Sequence, residues 1–479
     1  MRRLPRILLV ALLALGLAGT AGAQAESPTA GPPVAGSDRG PDPYWPLDGN
    51  GGTDARHYDI RVRYDFGTGR LTGRTAITMV ATDDLRSLSL DLLLPVTGVT
   101  VDGRAASFRK PSKHELRVVP AHAIAQGQQF KVVVRYGGRP AAYGYAGERN
   151  WLADRAEVVA MNQPHMAPWW FPSNDHPSDK ATYDVRVNVP RGKQVVGNGV
   201  RVGRKISGAR ATTHWRETAP MATYLAFFAA GDFAIQKGRS ASGIPYYNAV
   251  SKRLPRDQQP RITRVLRRTA AVTDWLQSRL GAYPFATTGG LVTSLEVGFA
   301  LENQTRPTYG SWIYPSVVVH ELAHQWFGDS VAVRRWRDIW LNEGFASFME
   351  VQYAAAHGGP SVEQYLDSGW DAACGTPTSS YWRLNIADPG PAHVFDDPVY
   401  DRGALTLAAL QHRIGAGAMT TLLRRWVSDH RGGNGTIEQF EALASSVAGV
   451  DLSGFFDAWL RSGAAPAATA DHGLDHACP

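Results

Sequence analysis

Between residues 47 and 240 apolar side chains recur at alternate positions. Tyr58, Ile60, Val62, Tyr64 and Phe66 alternate with polar neighbours, as do Leu88, Leu90 and Leu92, and Tyr183, Val185, Val187 and Val189. A period of two puts one set of side chains on one face, so these segments predict strands of an antiparallel sheet buried on one side. Turn signals such as Asp102-Gly103 and Gly137-Gly138 punctuate them. Near residue 255 the period lengthens. Ile262, Val265, Leu266, Thr269, Val272, Leu276 and Leu280 share one face of a helix that opens after Pro260 and closes near Gly281. From there to Leu460 helical patterning dominates. The pattern predicts an α+β chain: an N-terminal β domain over 47–240, a mainly helical domain over 241–461, and an Ala/Pro-rich tail over 462–479.

The beginning of the chain follows different rules. Met1-Arg2-Arg3-Leu4-Pro5-Arg6 is basic, and Ile7 to Ala18 is an apolar run too short to span a bilayer comfortably. Small residues at Ala21, Ala23 and Ala25 follow, so residues 1–25 read as a cleaved export signal, which predicts a secreted protein without a stable membrane anchor. Residues 26–46, rich in Pro, Gly, Ser and Ala, predict a flexible leader without chemistry. Removing the signal takes three arginines from the formal charge of +7, and the remaining basic residues are scattered, which argues against a nucleic-acid partner. For Cys374 and Cys478, a single bridge tying the tail to the body and two unrelated free thiols are both open.

Candidate chemistry begins at His320-Glu321-Leu322-Ala323-His324. A helix here puts His320 and His324 one turn apart on one face, where two imidazoles can grip one metal ion. Glu321 lies close enough to act on a water at such a site as a general base. A catalytic zinc takes three protein ligands and keeps a position open. Glu343, with 18 residues between it and His324, supplies the third after one helix ends and another passes it.

These residues resemble the M1 family of zinc aminopeptidases, whose catalytic domain is thermolysin-like. His320 to Gly328 and Trp336 to Glu350 are similar to the family's two zinc-ligand blocks almost letter for letter. Phe299-Ala300-Leu301-Glu302-Asn303 stands where the family has Gly-x-Met-Glu-Asn, with Phe299 and Leu301 departing from that pattern and Gly298 adjacent. The resemblance implies that Glu302, with Ala300 and Asn303 around it, binds the substrate's α-ammonium group, which makes the enzyme an exopeptidase. Gln163 stands nine residues before Pro172 in a stretch, Phe171 to Pro177, similar to Phe-Pro-Cys-x-Asp-x-Pro, and is implied to help hold the same amino end. Tyr400-Asp401-Arg402-Gly403 looks like the block whose tyrosine stabilises the oxyanion.

The resemblance therefore implies one Zn²⁺ per chain, held by His320, His324 and Glu343, with Glu321 and Tyr400 catalytic. The implied substrates are peptides with a free N-terminus. Larger family members continue into a helical domain that roofs the site. This chain stops soon after Leu460, which implies a more open site and tolerance of longer peptides. Three alternatives remain: a thermolysin-type endopeptidase; an epoxide hydrolase, whose branch carries an acid where this chain has Ala392; and a secreted binding protein that keeps the scaffold without activity.

Overall fold

The computed structural model describes residues 32–478. The export signal expected over 1–25 and the first part of the leader lie outside the described residues.

The alternating segments build an eight-stranded sheet in the order 200–207, 210–221, 181–190, 53–65, 70–81, 129–138, 96–101, 104–105. Tyr58, Ile60, Val62 and Tyr64 from one strand and Tyr183, Val185, Val187 and Val189 from its neighbour are buried, and the residues between them are more exposed. These two strands pair in parallel, Tyr183 beside Tyr58 and Val185 beside Ile60, which departs from the purely antiparallel expectation. Alternation reports which face is buried and is blind to strand direction. The chain makes the parallel pair by running more than a hundred residues between the two strands, through four further strands of the same sheet and through strands of smaller sheets. Leu85–Asp91 belongs to one of these, and Leu88 and Leu90 are fully buried there.

The expectation of a flexible leader over 26–46 is corrected from residue 33 onward. Val34–Ala35 pairs with Leu85–Asp91. The Asp42 carboxylate accepts the backbone N–H of Trp336 at 2.7 Å. Trp45 packs edge-on against His165 and Trp336, ring centroids 5.0 and 6.0 Å away. Tyr44 donates its hydroxyl hydrogen bond to Asp388. A low apolar fraction concealed three anchors, and two aromatic rings and one buried carboxylate suffice to dock a short strap.

Beyond residue 232 a small mixed sheet (Phe233–Arg239, Pro245–Ser251, Thr288–Val292, Thr308–Tyr309) backs a set of helices. The single helix expected over 262–280 is two, Gln259–Leu266 and Thr269–Leu280. The Leu266 carbonyl is taken by the Thr269 hydroxyl at 2.7 Å and the Asn248 amide at 3.2 Å, which ends the first helix while both keep their apolar residues inward. Gly281, at φ 98°, closes the second. No described helix is long and apolar enough to cross a membrane. Cys374 and Cys478 form a disulfide that pins the tail beside the body, and Leu474 of the tail is buried.

Candidate metal centre and active site

The helix Pro315–Ala323 starts with proline at its first position, where no intrahelical N–H is required, and Tyr314 precedes it in extended conformation. Val317, Val318 and Val319 are buried, so tertiary packing offsets the modest helix propensity of three β-branched residues. The helix carries His320 and Glu321 inside the molecule and ends at His324. Glu343 lies in the first turn of the next long helix, Trp340–Ala356, where the helix dipole favours a carboxylate.

The Nε2 atoms of His320 and His324 each lie 3.3 Å from Glu343 Oε2. His320, His324 and Glu343 each present one ligand atom, and these atoms all lie within 4.8 Å of one another. The outward nitrogens are fixed as well. His320 Nδ1 donates to Glu350 Oε1 at 2.9 Å, and His324 Nδ1 donates to the Phe327 carbonyl at 3.0 Å, which leaves both Nε2 lone pairs turned inward. Burial raises the Glu343 carboxyl, but the adjacent imidazoles of His324 and His320 outweigh it and hold the group at about 2. Burial lowers His324, and the Glu343 carboxylate more than reverses this, to about 9. The site thus calls for positive charge at its centre. Two imidazoles and a carboxylate with oriented outer partners are the donor set of a catalytic zinc, so these residues fit that metal.

Glu321 is buried beside them. Burial pushes its carboxyl up to about 8, with His320 and His324 pulling it down and Glu302 and Glu343 adding to the rise. Glu302 is also buried, and its Oε1 accepts hydrogen bonds from Gln163 Nε2 and from the Tyr224 hydroxyl, both at 3.0 Å. Gln163 therefore reaches from the β domain to the acid expected to anchor an amino group. Tyr224 carried no motif and was missed; a lone tyrosine between strands gives no sequence signal. Glu350 was legible in principle, since it lies two helical turns after Glu343 on the same face.

Tyr400 is placed by a close helix crossing. It rides on Asp397–Ile414, which meets Trp340–Ala356 where Gly403 faces Gly344, and a Cβ on Gly403 would sit 2.8 Å from the Gly344 Cα. Arg402 is fully buried, and its guanidinium donates to the carbonyls of Tyr381, Trp382 and Leu384. The Tyr400 ring lies 6.0 Å from that of His320. Burial, followed by the carboxylates of Glu343, Glu302 and Glu321, drives its hydroxyl well above the usual range, so it remains a neutral donor.

Gln163, Ala300, Glu302, His320, Glu321, His324, Glu343 and Tyr400 all line one cavity of about 480 Å³. Asn303 does not, which corrects its assignment to the substrate. Its side chain is fully buried and donates to the Leu225 carbonyl at 3.2 Å. It belongs to a buckle with Arg306, whose guanidinium bonds the carbonyls of Tyr247, Thr288 and Gly199, and this buckle holds the Glu302 segment in place. Phe299, the departure from the motif glycine, also lines this cavity and is 41 % exposed.

A β domain followed by a helical domain, with two histidines and a glutamate converging from two helices, defines a metallopeptidase type of architecture. The model described as "Peptidase family M1 domain" matches residues 288–459, and that described as "Peptidase M1 N-terminal domain" matches residues 54–225. The chain belongs to peptidase family M1. It is similar to Aminopeptidase M1-D of Oryza sativa subsp. japonica, 24% identical over 455 residues, covering 85% of this chain and 49% of that protein. Aminopeptidase N of Lactococcus lactis subsp. cremoris (strain MG1363) is 24% identical over 451 residues, covering 87% and 51%. The chain spans about half the length of these relatives. A crystal structure of an M1 zinc metallopeptidase from Deinococcus radiodurans matches with a TM-score of 0.76 at 24% identity, covering 89% of this chain and 98% of that one. A mutant M1 zinc metallopeptidase from the same organism, bound to a Tyr-Ser-Ala substrate, matches at 0.76 and 25%, covering 88% and 96%.

Proposed function

We infer that this chain is a zinc-dependent aminopeptidase, exported from the cell, that removes N-terminal residues from peptides. The observation that carries the reading is the placement of Glu302, clamped by Gln163 and Tyr224, in the same cavity as His320, His324 and Glu343. A zinc hydrolase needs only the last three; an aminopeptidase also needs a carboxylate for the free ammonium group, at a fixed distance from the scissile bond. Similarity to a peptidase with a bound Tyr-Ser-Ala substrate supports a peptide as the ligand. Export rests on the basic start and apolar run of residues 1–25.

His320, His324 and Glu343 would hold the zinc, which when bound supplies a Lewis acid for the scissile carbonyl and makes a nearby water more acidic. Glu302 and Gln163 hold the substrate's amino end, so the first peptide bond falls beside Glu321. Glu321 takes a proton from the attacking water and returns it to the leaving amine. The neutral Tyr400 hydroxyl donates a hydrogen bond to the oxygen on which negative charge develops. Glu321→Gln keeps the ligand set and removes the proton acceptor. It is expected to retain one zinc by elemental analysis while losing hydrolysis of an aminoacyl amide; turnover at the wild-type rate would remove Glu321 from the mechanism.

A further inference from the structure

The β domain holds a second knot of ligand-type side chains that the peptidase chemistry does not use: Asp91, His114 and Glu115. Asp91 closes the Leu85–Asp91 strand, and Glu115 stands opposite it at the start of the paired strand Glu115–Val119, with His114 just before. Asp91 is 0% exposed, His114 2% and Glu115 3%. Asp91 Oδ2 is fully engaged, accepting from the backbone N–H of Gly49 at 3.2 Å and of Asp175 at 2.7 Å and from the Asn50 amide at 3.1 Å. By contrast Asp91 Oδ1, both carboxylate oxygens of Glu115 and both ring nitrogens of His114 have no hydrogen-bond partner. His114 Nδ1 lies 3.6 Å from Asp91 Oδ1 and 3.6 Å from Glu115 Oε1, too far for hydrogen bonds. One ligand atom from each of the three residues lies within 4.8 Å of the other two.

The neighbouring buried carboxylates are partnered and do not satisfy the knot: Asp48 accepts from the Tyr145 hydroxyl at 2.7 Å and pairs with His165, and Asp175 accepts from the Thr223 hydroxyl. His165 is committed elsewhere, its Nε2 2.6 Å from Asp48 Oδ2 and its Nδ1 3.2 Å from Glu148 Oε2. The Lys110 ammonium donates to the Leu92 carbonyl. Tyr145 stacks on His114, ring centroids 3.9 Å apart and planes 6° apart, and closes one side. Buried carboxylates facing an imidazole without donors between them are strongly unfavourable unless a cation sits at their centre.

We propose that Asp91, His114 and Glu115 form a second, structural metal site for a divalent first-row transition cation. Two carboxylates and one imidazole match Mn²⁺ or Zn²⁺ better than Mg²⁺, which favours oxygen ligands throughout. Through the bonds of Asp91 to Gly49, Asn50 and Asp175, the ion ties the strap that begins at residue 33 to the β domain. His165, two residues beyond Gln163, meets the surroundings of the cluster through Asp48, 2.6 Å from its Nε2, and through Tyr145, which packs edge-on against it.

The test uses the full chain with the catalytic ligands removed. Elemental analysis should find two equivalents of transition metal per wild-type chain and one in the His320→Ala/His324→Ala variant. After stripping with chelator, that variant should bind one equivalent of added Zn²⁺ or Mn²⁺ and gain thermal stability. Adding Glu115→Gln should abolish both effects. Because the double variant leaves the Asp91 cluster intact, stoichiometric binding there supports the site even where the Glu115 variant does not fold. Failure of that double variant to bind either ion overturns the proposal, whatever the outcome at the catalytic centre.

Discussion

At the scale of single residues, the site works by holding charges where solvent cannot screen them. Tyr400 illustrates this, because its burial among carboxylates keeps the phenol protonated and available as a donor to a developing oxyanion. Tyr400→Phe is expected to lower kcat by about 10²- to 10³-fold, the effect of losing one oxyanion donor, with little change in KM. Steady-state kinetics on an aminoacyl amide checks this, and a change confined to KM would mean that the hydroxyl binds ground-state substrate instead. Glu217 is another buried acid, not among the candidate metal ligands. Burial pushes its carboxyl up to about 7, with the Ala219 N–H pulling the other way. Because the folded state binds this proton more tightly than the unfolded chain, its contribution to stability is present at low pH and is lost as pH rises through about 7. Glu217→Gln should therefore raise Tm more at pH 8 than at pH 5, measured by thermal unfolding at both. Sequence spacing pointed to the candidate metal ligands at this scale, and the structure brings His320, His324 and Glu343 together, because two histidines one helical turn apart have few other uses. Tyr224 left no trace in the sequence, since its role depends on the helical turn Thr223–Leu225 meeting Glu302 in the fold. Asn303 was misread because a motif names neighbours in the chain without saying which way each side chain turns.

Among elements, the decisive contact is the crossing of Trp340–Ala356 and Asp397–Ile414 at Gly344 and Gly403. The absence of side chains lets two helices approach closely enough for Glu343 on one and Tyr400 on the other to share a cavity. Gly403→Ala places a methyl 2.8 Å from the Gly344 Cα and must move the helices apart. The expected cost is about 1–3 kcal/mol of stability, seen as a lower denaturant midpoint, with kcat reduced as Tyr400 withdraws. Unchanged stability and rate would show that the crossing tolerates displacement. Periodicity marked where the helical region begins, yet it joined 259–266 to 269–280 because the apolar face runs through the break. Only the competition of Thr269 and Asn248 for the Leu266 carbonyl reveals it, and the Asn248 contact is tertiary.

For the molecule as a whole, the proposed function depends on two regions meeting: the candidate metal ligands come from the helical region, and Gln163 comes from the β domain. The strap from residue 33 reinforces that meeting, with Asp42 bonded to the Trp336 N–H and Trp45 lodged between His165 and Trp336. Composition alone concealed it, since a Pro- and Gly-rich segment with two well-placed aromatics reads as a linker until the surface receiving the rings is known. The α+β order, by contrast, was legible, because the change from a period of two to a helical period spans whole segments. The central claim is that Glu302 makes this zinc site an aminopeptidase site, and the most direct measurement compares hydrolysis of one peptide with its N-acetylated form, by wild type and by Glu302→Ala. The account predicts that wild type cleaves the free peptide at its first bond and leaves the acetylated one intact, and that Glu302→Ala loses most of this activity; equal cleavage of both peptides by wild type would contradict it.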